Sequence, residues 1–247
     1  MANPAVTVSA RGSPALLSLL KAHPLVVVER FEEAPTMRIE FSGQGRHRIA
    51  YHGNAEVSGP YGLTELMDNN PLVCADLASV TGPEATLALV ALGPLAKAEL
   101  LIERPAIAFN FSTGSADEVD AALATEGWTG GASVATSDEA PDIFSAQCIA
   151  QIRMPRDERD LTALYEECFG RSFFVRASSG PVVVSQSHAT YALSIKAQGD
   201  GTALATVFAH SARNAKCGAG GLVHLFNVMA SFEESLGVAG FSPSGTN

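Results

Sequence analysis

The chain lacks several features that would narrow its chemistry. None of its four cysteines, Cys74, Cys148, Cys168 and Cys217, forms a C-x-x-C pair. No His/Cys cluster has zinc spacing, so no metal site is expected. Four scattered cysteines in 247 residues do not make a disulfide framework and point instead to a reducing, cytoplasmic setting. The N-terminus lacks the basic-then-apolar layout of a secretory signal. No apolar run reaches the roughly 18 residues that a membrane helix needs, so no membrane partner is expected. Positive charge is scarce: 16 Lys and Arg stand against 26 Asp and Glu, a formal net charge of −10. Such an acidic chain is poorly matched to a phosphate backbone, so nucleic acid is not an expected partner. An acidic metabolite would need a local basic pocket. The chain has no internal repeat and no low-complexity tail.

What is present suits one large or two small domains, with a core that removes roughly three-quarters of the unfolded surface. Residues 6–9, 14–23 and 25–29 read as strand, amphipathic helix and strand, the helix carrying Leu16, Leu17, Leu19 and Leu20. The loose alternation over 37–57, with Gly43, Gly45 and Gly53 as turn signals, reads as antiparallel hairpins. A Gly/Pro loop at 58–62 marks a boundary. Residues 84–101 form a strong helix with Pro94 as a kink or break. A strand at 106–111 leads to a short helix at 117–126, with Ser115 as a possible cap. The polar stretch 128–142 reads as loop. Beyond it lie a strand at 143–154, a helix at 158–168 and strands at 173–177, 181–187, 190–198 and 203–208. The segment RNAKCGAGGLVHLFNVM, residues 213–229, closes the pattern with a glycine-rich turn and an apolar helix.

Asn214, Gly218, Ala219 and Gly221 in this last segment resemble the terminal turn and helix of the N-acetyl-γ-glutamyl-phosphate reductases, within the aspartate-semialdehyde dehydrogenase family. The family's aspartate is Arg213 here, and its lysine before the first glycine is Cys217. Three further segments agree in order: VTVSARGSPALLSLLKAHPLVVVE from residue 6, TGPEATLALVALGPLAKAELL from residue 81, and SAQCIAQIRMPRDERDLTALYEECFGRSFFVRASS from residue 145. Together they cover about half the chain. The resemblance implies an α+β chain with an α/β start. Residues 1–78 would be a reduced, degenerate Rossmann-like region and 79–212 a substrate and dimerisation domain with a mixed sheet. The helix in 213–247 would pack back on the N-terminal region.

The same comparison shows what has been lost. A dinucleotide turn needs glycines so that the backbone can approach a pyrophosphate at a helix N-terminus. Of the three positions only Gly12 remains; the others are Ser9 and Ala15. The stretch after Glu29 is also too short for the rest of a doubly wound nucleotide domain. In the Asn-Pro-Gly-Cys-x-x-Thr turn, Gly82 and Thr86 match, but the nucleophile's position is Pro83. No histidine occurs from Gly53 to Ser187, where the family places its base. No cofactor is therefore expected, and a working NADP-dependent dehydrogenase is disfavoured.

Several residues are candidates to have taken over. Ser187-His188 lies in a turn between strands, where His188 is either a general base or an exposed turn residue. Ser112 and Ser115 start a helix and either hold an anion or cap that helix. Cys217, beside Lys216 at a helix N-terminus, is in a setting that lowers a thiol pKa, or is a buried thiol. His210, Arg213 and Lys216 flank the same turn as a basic cluster, either an anion site or a salt-bridge group. Two functions follow. One is a non-redox homologue that binds a small acidic or acyl metabolite, or serves as a non-catalytic subunit, as a homo-oligomer. The other is a cofactor-independent hydrolase, isomerase or lyase that uses His188, Ser112 and Cys217.

Overall fold

The computed structural model describes residues 5–43, 45–154, 157–178 and 187–238. Among these residues the chain is α+β, with two mixed six-stranded sheets and six helices. All but the last residue of the strand expected at 181–187 lies outside the described residues. No described helix is long and apolar enough to cross a membrane.

The first sheet is built from β1 (Val6–Gly12), β2 (Val26–Glu33), β3 (Arg38–Gly43), β4 (Arg46–His52), β5 (Tyr61–Gly62) and β6 (Leu77–Val80), in the order β2-β1-β3-β4-β6-β5. β1 and β2 are parallel and joined by α1 (Pro14–Ala22). β3 is antiparallel to both its neighbours, and β6 is parallel to β4 and β5, so β3 alone runs against the rest. α1 starts at Ser13, whose hydroxyl accepts the Leu16 N–H at 3.4 Å, and Pro14 occupies a first-turn position where its missing N–H costs little. Leu16, Leu19 and Leu20 then fall on one face and are fully buried, each contributing roughly 1.5–3 kcal/mol of apolar burial. A short helix, α2 (Asn69–Cys74), precedes β6.

The second sheet has the order β10-β11-β12-β9-β7-β8: β7 (Ala106–Phe109), β8 (Ser133–Ala135), β9 (Ile143–Arg153), β10 (Val175–Ala177), β11 (Ala189–Ala197) and β12 (Thr202–Ala212). β9 and β12 pair antiparallel along their full length. Their Cys148, Ala150, Ile152, Ala203, Ala205 and Val207 face a single core with α3 (Pro83–Lys97), α4 (Glu118–Thr125) and α5 (Glu158–Phe169). Every α3 residue from Glu84 to Ala96 is buried. Pro94 lies inside α3 and does not end it; the helix continues to Lys97. The polar stretch 128–142 contains β8, only three residues long and parallel to β7.

The chain then returns to the first sheet. α6 (Ala219–Met229) buries all eleven of its residues against β3, β4, β6, α1 and α2. One buried cation ties this end together. Arg48, 1% exposed, points its guanidinium at the carbonyls of Leu72, Val73 and Ala75 at the C-terminal end of α2, and of Met229 at the end of α6. The negative ends of two helices thus take the place of a carboxylate partner.

Candidate functional site

The strands of the first sheet that run in a common direction end on one side, at Gly12, Glu33, His52 and Val80. Crevices at the carboxyl ends of such strands are the usual ligand positions of α/β sheets. A cleft of about 510 Å³ opens there, lined by Ser13, the 34–37 loop, His52-Gly53, Gly82-Pro83, Phe111-Ser112-Thr113, Ser115, Glu139-Ala140, Phe144, Arg213-Asn214 and Cys217-Gly218.

The β1–α1 turn faces this cleft but is closely packed. Gly12 has φ +153°, and a Cβ there would lie 2.8 Å from Met37 Cγ and 2.9 Å from Leu16 Cδ2. Gly12 thus serves close packing of Met37 over the turn.

The start of α3, where the resembled family places its thiol, is held by two carboxylates of the chain itself. Both oxygens of Glu118 accept the Gly82 N–H, at 3.0 and 3.1 Å, and Tyr61 OH donates to Glu118 at 2.7 Å. Glu84, wholly buried, accepts the Thr113 N–H at 2.6 Å and the Ser115 hydroxyl at 3.0 Å, and the Thr113 hydroxyl also donates to it. Negative charge at a helix N-terminus is favourable, and here the protein supplies its own. Burial pushes the Glu118 carboxyl above its usual range, against the bonds from Gly82 and Tyr61. A Cβ on Gly82 would sit 2.3 Å from Glu118 Oε2, so a side chain there would displace the carboxylate that holds this turn. Ser115 therefore braces Glu84. The α4 N-cap is Asp117, which makes no side-chain cap bond.

Of the sequence candidates, Ser112, Ser115, Arg213 and Cys217 line this cleft. The Cys217 thiol is fully buried, and burial pushes its pKa up to about 12, outweighing the lowering by Lys216. The activation expected at a helix N-terminus is thus reversed. The Cys217 carbonyl bonds His52 Nε2 at 3.0 Å, so that nitrogen carries the proton. Burial lowers the His52 pKa to about 4, leaving a neutral ring. Arg213 donates through Nη2 to the carbonyls of Ala140 (2.7 Å) and Pro141 (2.9 Å) and lies over the Phe144 ring at 5.4 Å. Phe144 in turn stacks on Phe111, with centroids 3.9 Å apart. Arg213 Nε is buried without a partner, and no described carboxylate pairs with this guanidinium.

The other candidates lie elsewhere, and the basic cluster read from the sequence disperses. Lys216, 2% exposed, pairs with the buried Glu65 at 2.8 Å and reaches His224 Nδ1 at 3.0 Å. His210 bonds the Thr190 hydroxyl and lines a separate apolar depression of about 580 Å³ on the outer face of the second sheet, beside Asn110, Ser145 and Phe208. Ser187 and His188 precede β11, their side chains 3.5 Å apart. Burial, Arg176 and His210 lower the His188 pKa. Neither residue lines the cleft, so His188, Ser112 and Cys217 do not converge. No group of three potential metal ligands occurs among the described residues.

Sequence reasoning missed Glu84, Glu118 and His52. Glu84 carried a signal, being the one charge inside the apolar run TLALVALGPLA and its lead-in. Glu118 looks like an ordinary first-turn acid, and His52 had none. The chain matches no known protein-family model, and no curated protein matches it.

Proposed function

We propose that the chain is a non-redox scaffold akin to the acyl-phosphate and semialdehyde reductases. Residues 1–78 would be a reduced Rossmann-like unit and 79–212 a substrate-domain-like unit, and the role of the chain would be to bind a small acidic or acyl metabolite in the cleft without chemistry. The observation that carries this reading is the Arg213 guanidinium: a cation in the cleft of an acidic chain, stacked on Phe144, with a buried unpartnered Nε and no carboxylate partner among the described residues. Anion recognition by a planar guanidinium fits a carboxylate. The surrounding groups favour binding over reaction. The thiol is protonated, the histidine is neutral with one nitrogen committed to a carbonyl, and position 83 is proline. The four thiols are free, which suits a cytoplasmic setting.

A homo-oligomer built on the outer face of the second sheet is part of this reading. Ile149 and Phe208 are 39% and 48% exposed there, and no described helix covers them. A thermal-shift screen with small mono- and dicarboxylates, acyl-amino acids, phosphates and nicotinamide cofactors tests the proposal. Carboxylates should raise the melting temperature and cofactors should not. Stabilisation by a nicotinamide cofactor alone would overturn it.

A further inference from the structure

We propose, building on Arg213 as the carboxylate anchor, that the cleft is shaped for a free amino acid, with the ligand's carboxylate on the guanidinium and its ammonium among groups that only accept hydrogen bonds: Thr113, Ser115 and Glu139. The cleft's own hydroxyl and ring protons are already committed within the protein, and this sets which ligand groups it can meet.

Thr113 and Ser115 have one hydroxyl proton each. Both hydroxyls bond Glu84 Oε2, Ser115 at 3.0 Å, and their oxygens lie 2.8 Å from each other. A carboxylate only accepts, so both protons stay within this cluster, and a ligand meets the two oxygens as acceptors. Ser13 behaves alike at the start of α1. Its hydroxyl accepts the Leu16 N–H and gives its proton to Met37 Sδ at 3.8 Å. His52 gives its one ring proton to the Cys217 carbonyl, which leaves a lone pair on Nδ1. Glu139 adds a carboxylate that pairs with no cation among the described residues. Ser112 and Asn214 can either donate or accept.

The charged donor is Arg213. Its Nη2 serves the carbonyls of Ala140 and Pro141, and its Nη1 makes no hydrogen bond among the described residues. Those two carbonyls follow Glu139 directly, so the loop that carries the carboxylate is fastened to the guanidinium. One short segment thus holds a positive and a negative group in the same cleft without pairing them. A ligand ammonium brings three donors and a positive charge to the accepting groups. A second ligand carboxylate would set lone pairs against lone pairs and its charge against Glu139. A chain of net charge −10 also repels a dianion at a distance, and a zwitterion escapes this. The stacked Phe111 and Phe144 rings offer an apolar surface to the ligand's carbon chain.

Titration calorimetry of the full chain with matched probes tests this: β-alanine against succinate, 4-aminobutyrate against glutarate, and L-2-aminobutyrate against butyrate. In at least one pair the amino acid should bind about tenfold or more tightly than its match. Glu139→Gln should reduce that preference by about fivefold or more, because it weakens the hold on the amine and relieves the second carboxylate. Arg213→Ala should lose every probe. Matches that bind as tightly as the amino acids in all three pairs, yet are lost in Arg213→Ala, would overturn the amino-acid assignment and leave the carboxylate anchor standing. An unchanged preference in Glu139→Gln would overturn the assignment as well. Absence of binding by every probe, or binding that survives Arg213→Ala, would overturn the anchor and the assignment together.

Discussion

Replacing Arg48 by methionine tests how the end of α6 is held. The substitution keeps the apolar stem and removes a guanidinium that serves four carbonyls. The bonds to Met229 and Leu72 are buried, whereas those to Val73 and Ala75 are partly exposed, so water can replace them. Leaving a buried polar group unsatisfied costs about 1–3 kcal/mol, and two such carbonyls give a loss of about 2–6 kcal/mol. That is a large share of the roughly 5–15 kcal/mol that keeps a domain folded. At about 2–4 °C per kcal/mol for a chain of this size, the melting temperature should fall by roughly 4–24 °C. Urea unfolding followed by far-ultraviolet circular dichroism measures it. Arg46→Met is the control: its pair with Asp76 at 3.0 Å is exposed and should cost under about 1 kcal/mol. Equal, small losses for both variants would refute the reasoning that Arg48 closes two helix ends.

Two further outcomes are expected from the site. Alkylation at pH 8 should label the exposed Cys74 rapidly and leave Cys217 and Cys148 unmodified until the protein unfolds, because both are fully buried and burial raises both thiol pKa values; peptide mapping that finds Cys217 labelled as fast as Cys74 would contradict the description of the cleft. The raised Glu118 pKa means a contribution that is present below pH 4.5 and lost as pH rises through the folded value. Glu118→Gln removes this loss, so its stability relative to wild type should improve from pH 4 to pH 7 in denaturant titrations; an improvement in the opposite direction would count against it.

Much of the architecture is legible in the chain because its long elements carry a clear period. The leucines of α1, the apolar run of α3 and the paired strands β9 and β12 are examples. β8 and β6 are not: three and four residues hold no period, and they are strands only because β7 and β4 supply a parallel edge. The candidate site is legible where function rides on turns. Ser112, Ser115, Arg213 and Cys217 follow strands that end on one side, so they meet. The rest depends on side-chain direction and burial, which sequence neighbours do not reveal. Lys216 and Cys217 are adjacent, yet one turns to Glu65 and the other to the cleft. His210 and Arg213 are three residues apart but part at the end of β12, one onto the outer face and one into the cleft.

Arg213 is proposed to hold a small carboxylate in an unreactive cleft. Titration calorimetry with succinate, glutarate and N-acetylglycine, on wild type and on Arg213→Ala, tests it most directly. The account predicts that at least one of them binds wild type and stabilises it by about 2.7 kcal/mol at 100 times its dissociation constant. Arg213→Ala should melt normally without binding it, and the ligand should be recovered chemically unchanged. Undiminished binding to Arg213→Ala, or conversion of the ligand by wild type, would contradict the account.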